Sequence, residues 1–167
     1  MKTLGFYDYI YFRGSRNFQK QSERIKELAN IVCSYSPNHV LDVGCGIGYL
    51  VKELNLRGVP TKGVDSAQAL KDRFWGILEP MFLADATSLP FKDGEFDLVT
   101  SSDFLEHVPE ENLDKVLSEM RRVCSGTILS RVAYEAKLTS RQSLYHVTNK
   151  SKEWWEEKVK PYGVILI

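Results

Sequence analysis

The chain has 167 residues, 22 basic and 22 acidic side chains, no formal net charge and 43% hydrophobic residues. That length and balance fit one globular domain, residues 1–167, with an ordinary core, and the lack of a basic surplus argues against nucleic acid or an anionic membrane as partner. Three scattered cysteines, Cys33, Cys45 and Cys124, form no Cys-x-x-Cys pair; with no signal-like start and no bilayer-length apolar run, the expectation is a cytoplasmic protein with reduced thiols.

Residues 1–14 are rich in aromatics, Phe6, Tyr7, Tyr9, Tyr11 and Phe12, followed by Arg13. From about Phe18 to Val32, Ile25, Leu28, Ala29 and Val32 fall on one helical face, and Pro37 marks the end. A first strand is expected over His39–Val43, a helix over Gly48–Asn55 and a second strand over Thr61–Asp65. Ser66 is placed to cap the next helix. Strands follow over Met81–Ala84 and Phe96–Ser101. Leu113, Val116, Leu117 and Met120 recur at i, i+3, i+4 and i+7, which predicts a helix over 112–122 with one buried face. A fifth strand is expected over Thr127–Ser130, irregular chain over 131–150, a short helix from its cap Ser151 through Val159, and a last strand over Val164–Ile167. Of Trp154 and Trp155 on that helix, one is expected buried and one partly exposed.

The stretch Val40-Leu-Asp-Val-Gly-Cys-Gly-Ile-Gly48 holds the densest information. An apolar strand ends in Asp42, and Gly44, Gly46 and Gly48 follow at alternate positions before a helix begins. That is a strand, a backbone-exposed turn and a helix start, the layout that cradles a cofactor in a Rossmann-like sheet. Glycine permits close backbone approach and positive φ. A dinucleotide would set its pyrophosphate at this turn, where the Asp42 carboxylate would repel it. S-adenosylmethionine (SAM) carries an ammonium and a sulfonium and no phosphate, so it suits the acid; the Gly-x-Gly-x-Gly spacing also departs from the Gly-x-Gly-x-x-Gly of nicotinamide enzymes. Asp65 lies about 20 residues beyond the turn, the position of an acid that accepts ribose hydroxyls, with Ser66 beside it. Strands alternating with helices complete the fold class: α/β, a Rossmann-like, mainly parallel sheet with helices on both faces.

With its LDVGCG, GVD, ADA, LPF, FDLV and LEHV segments, the chain resembles class I SAM-dependent methyltransferases of the small-metabolite type. The resemblance runs from about Tyr9 to the end and is strongest from Val40 to Arg122. It implies SAM as cofactor, held by Asp42, Gly44, Gly46, Gly48, Asp65 and Ser66. It further implies Asp85 at the adenine amine, the Ala86 amide toward a ring nitrogen, and Ser101 and Ser102 near the methionine part. These enzymes usually end in an antiparallel strand inserted beside the fifth. This chain stops at Ile165-Leu166-Ile167, so that strand is expected to be missing and the apolar edge to be covered, as in a homodimer joined there.

The acceptor side is less legible. His107 is the candidate catalytic base, being the side chain that titrates near neutrality; packing of the loop is the competing role. Asp103-x-x-Glu106-His107 with His146 resembles the ligand set of metal-dependent 2′-O-methyltransferases, yet many metal-free relatives share Glu-His, and no metal is assigned from sequence. Residues 131–150, including Arg131, Tyr134, Arg141 and the Ser143–Thr148 segment, are expected to form a substrate loop. Residues 1–35 are expected to supply a lid and a helix. The implied activity is methyl transfer to an oxygen or nitrogen of a small molecule; the alternative is a catalytically silent SAM-binding partner subunit.

Overall fold

The structure, a computed structural model, describes residues 18–68, 80–134 and 146–167. The expected lid aromatics, the helix after Ser66, and Arg141 and Ser143 of the expected substrate loop lie outside the described residues. Helix α1 spans Phe18–Ser34, strand β1 Val40–Val43, helix α2 Tyr49–Leu56 and strand β2 Thr61–Asp65. Strands β3, Met81–Leu83, and β4, Phe96–Ser102, come next, then a single 3₁₀ turn at Leu105–His107. Helix α3 spans Glu110–Val123, strand β5 Cys124–Arg131, helix α4 Lys152–Val159 and strand β6 Val164–Leu166.

Among the described residues six strands pair in parallel, in the order β3-β2-β1-β4-β5-β6. Among the described residues there is no antiparallel strand, as expected. Side chains alternate across each strand, and the two faces separate cleanly. Val40, Leu98 and Leu129 pack with Leu28, Ala29 and Val32 of α1 and Leu50 and Leu54 of α2. Their neighbours Leu41, Val99 and Ile128 pack with Leu113, Val116, Leu117 and Met120 of α3 and Trp155 and Val159 of α4. Each buried Leu or Val contributes roughly 1.5–3 kcal/mol, so burial on both faces holds the sheet between its two helical layers. Trp155 is fully buried and Trp154 half-buried, edge to face with centroids 5.2 Å apart.

Two polar clasps set the loops. Ser36, at φ 52°, turns the chain out of α1, and Asp97 then accepts hydrogen bonds from the Asn38 and His39 amides at 2.7 and 2.8 Å. Arg122 in the last turn of α3 donates to Glu119, Asp93 and the Leu89 and Phe91 carbonyls, pinning the crossing from β3 to β4. Glu110 and Glu111 open α3, and Arg121 and Arg122 close it, the arrangement that complements a helix dipole. No described helix is long and apolar enough to cross a membrane.

Candidate functional site

Because every strand runs the same way, all carboxyl ends share one edge. The direction of strand succession reverses between β1 and β4, and in open α/β sheets the crevice outside such a reversal is where ligands bind. Asp42, Asp65 and Asp85 arrive there from β1, β2 and the end of β3.

Asp42 is 4% exposed. Burial, and then the neighbouring Asp65 carboxylate, push it up to about 8. The turn after it is sewn to β2: the Gly44 and Cys45 amides donate to the Val64 carbonyl at 2.8 and 3.1 Å. Gly44, Gly46 and Gly48 all take positive φ, 73°, 56° and 81°. At Gly44 space adds to this, since a Cβ there would stand 2.4 Å from the Phe104 ring; at Gly48 a Cβ would meet only the movable end of Met81, and the positive φ is what calls for glycine.

Asp65 shapes the same turn. Its Oδ2 accepts the Gly46 amide and its Oδ1 the Ala67 amide, both at 2.9 Å. Burial raises its pKa, and these amides work in the opposite direction. Each carboxylate oxygen keeps a further lone pair for another donor. Ser66 is exposed beside it. Asp85 is exposed and closes an Asx turn by accepting the Thr87 amide at 2.8 Å; half-buried Ala86 follows. The structure therefore brings the glycine turn and all three acids to one edge.

The two serines separate. Ser102 is half-buried at the edge, where its Oγ accepts from Arg131 Nε and Nη2 at 3.2 and 3.0 Å. Ser101 is fully buried, and its Oγ pairs with Ser130 Oγ at 2.8 Å. Its hydroxyl stitches β4 to β5.

Beyond β4 the chain turns sharply. Asp103 is held at φ 52°, a left-handed conformation uncommon for a non-glycine residue. Its carboxylate pairs with Arg24 of α1 at 3.0 Å and stands 3.9 Å from Arg131. Phe104 then lies on Gly44, and the His107 amide donates to the Phe104 carbonyl at 2.9 Å. His107 is thus mounted one short turn from the glycine loop, with its ring edge to face against His146, centroids 4.8 Å apart. Glu106 is fully buried and burial pushes it up to about 7; burial and the nearby His107 lower His146. Arg24, Phe104 and Met81 were not marked by any spacing in the sequence, since their roles arise only from contacts between distant elements.

Residues 41–127 match the family described as methyltransferase domain. The chain is 31% identical over 106 residues to a norajmaline N-methyltransferase of Rauvolfia serpentina, covering 55% of this chain and 34% of that protein. It is 33% identical over 132 residues to a sterol 4-C-methyltransferase of Caenorhabditis elegans, covering 68% and 39%. The chain thus spans between a third and two fifths of these relatives. Among solved structures, a SAM-dependent methyltransferase from Archaeoglobus fulgidus superposes with a TM-score of 0.73 at 25% identity, over 95% of this chain and 73% of that one.

Proposed function

Since this chain belongs to the methyltransferase-domain family, we propose that it binds SAM at the carboxyl ends of β1, β2 and β3 and carries the methyl group to an oxygen or nitrogen of a small molecule. The observation that supports this most is the convergence of a positive-φ glycine turn with the buried Asp42, the half-buried Asp65 and the exposed Asp85. The donor set fits the group: a cation beside Asp42 favours the ionised carboxylate that burial alone disfavours. Bound there, SAM supplies an electrophilic methyl on a sulfonium.

In this reading Asp42 and the Gly44–Gly48 turn face the methionine end. Asp65 and Ser66 face the ribose, Asp85 and Ala86 the adenine, and Ser102 borders the methyl-bearing end. His107 takes the proton that the acceptor oxygen or nitrogen gives up as its lone pair bonds the methyl carbon and the carbon–sulfur bond breaks. The remaining work is alignment and exclusion of water. The acceptor atom differs between the two relatives above, nitrogen in one and carbon in the other; a titratable imidazole beside the transfer site supports a heteroatom that must lose a proton. The neutral net charge supports a small acceptor over a polyanion.

The test is methyl transfer from labelled SAM across a panel of hydroxyl- and amine-bearing metabolites. His107→Ala is expected to lower kcat on the order of 10²–10⁴ and to leave SAM affinity nearly unchanged. A loss of only a few-fold with a lowered melting temperature would assign His107 to packing. SAM binding without turnover on any acceptor would instead favour a silent partner subunit.

A further inference from the structure

A second polar cluster stands on the same edge, apart from the three carboxylates. The Glu106 Oε1 accepts the Ala133 amide at 3.1 Å, while its Oε2 is buried without a hydrogen-bond partner. His146 Nδ1 is buried and unpartnered in the same way. One ligand atom from each of Glu106, His107 and His146 lies within 4.8 Å of the others, and two of the chain's three histidines are among them. The backbone that presents them is fastened. The Thr148 amide donates to the Glu106 carbonyl at 3.0 Å, and the Thr148 hydroxyl to the Val108 carbonyl at 2.6 Å. Orphaned buried polar atoms are rare in native proteins and call for a partner. Two orphans that are both Lewis bases, beside a second imidazole, call for a cation.

We propose that Glu106, His107 and His146 hold a divalent transition-metal ion. Ligand atoms around such an ion at about 2.1 Å stand roughly 3–3.5 Å apart, so small rotamer adjustments close the cluster. One carboxylate and two imidazoles suit Zn²⁺, Mn²⁺, Fe²⁺ or Co²⁺; Mg²⁺ and Ca²⁺ prefer all-oxygen sets. Asp103 is outside the set, because its carboxylate is turned to Arg24. The ligand set is therefore smaller than the four-residue pattern visible in the sequence. Three protein ligands leave coordination positions open, as in sites where a metal meets a substrate oxygen. With the ion bound, His107 serves as a ligand and not as the free base of the proposed methyltransferase reading; placing the opening toward the acceptor rests on that reading, and the binding of the ion does not.

The experiment uses the full chain, untagged and stripped of metal, titrated with Co²⁺ and Zn²⁺ by calorimetry while the visible Co²⁺ absorption is recorded. One ion per chain is expected. His146→Ala is expected to weaken binding by at least about a hundredfold, the upper end of what loss of an outer-shell partner costs, and to change the Co²⁺ spectrum. Glu106→Gln is expected to do the same, with circular dichroism confirming that each variant folds. No saturable Co²⁺ or Zn²⁺ binding, or unchanged affinity in His146→Ala, would overturn the proposal. Parallel SAM titrations keep the two claims apart: metal binding that persists where SAM fails to bind leaves this site standing and removes the cofactor reading.

Discussion

At the scale of single residues, Asp42 carries the most consequence. Its folded pKa of about 8 lies above the ordinary carboxylate value of 3.8, so the folded ligand-free chain holds more protons than the unfolded one between about pH 4 and 8. By linkage this group makes stability fall as pH rises through that window. A cationic ligand has the opposite demand, since it needs Asp42 ionised. SAM affinity is therefore expected to rise from pH 6 to 8, with a proton released on binding. Calorimetry in buffers of different ionisation enthalpy measures that release, and Asp42→Asn should abolish it. The same affinity at both pH values in the wild type would remove Asp42 from the cofactor site. Asp42, the glycines and Asp65 were legible because their meaning lies in order and spacing along the chain. The Ser101–Ser130 hydroxyl pair was not legible, because strand-end position does not say which face a side chain takes and only the pairing of β4 with β5 brings the two together. The Arg24–Asp103 bridge joins residues 79 apart, and no local pattern encodes it.

At the scale of elements, Arg122 shows how a helix terminus can organise a loop. One guanidinium serves Glu119, Asp93, Leu89 and Phe91 together, a fork geometry lysine lacks. Arg122→Ala is expected to destabilise the fold by about 1–3 kcal/mol, the cost of leaving charged and carbonyl partners to weaker solvation. Urea unfolding reads this, and Arg122→Lys should recover only part of it. A loss below 0.5 kcal/mol, the scale of an ordinary surface substitution, would show that solvent replaces the clasp. Helix periodicity made α1 and α3 legible, and the cap Ser151 marked the start of α4. The expected start of α3 at 112 fell short because Glu110 and Glu111 are polar and add nothing to the apolar stripe, while Pro109 before them sets the N-terminus. The expected start of β5 at Thr127 missed its first three residues for a similar reason. Cys124, Ser125 and Gly126 lack strand alternation because the register with β4 shifts there. Gly126 fits since a Cβ would stand 2.2 Å from the Asp97 carbonyl oxygen.

At the scale of the whole molecule, parallel pairing places the glycine turn, Asp42, Asp65 and Asp85 at one edge. A sheet with all strands aligned sends its carboxyl ends to one side, and the reversal between β1 and β4 opens it there. The alternation of strands and helices made this architecture legible from sequence. The acceptor side was less so, because methyl transfer asks for alignment more than for a fixed constellation of groups. The proposed cofactor site is tested by calorimetric titration of S-adenosylhomocysteine into wild type and Asp65→Ala. One site per wild-type chain is expected, with a loss of roughly 1.5–3 kcal/mol in the variant, about ten- to a hundredfold in affinity, when the ligand's ribose hydroxyls lose a charged acceptor. Equal affinity in a folded Asp65→Ala, or tighter binding of NAD than of SAM by the wild type, would contradict it.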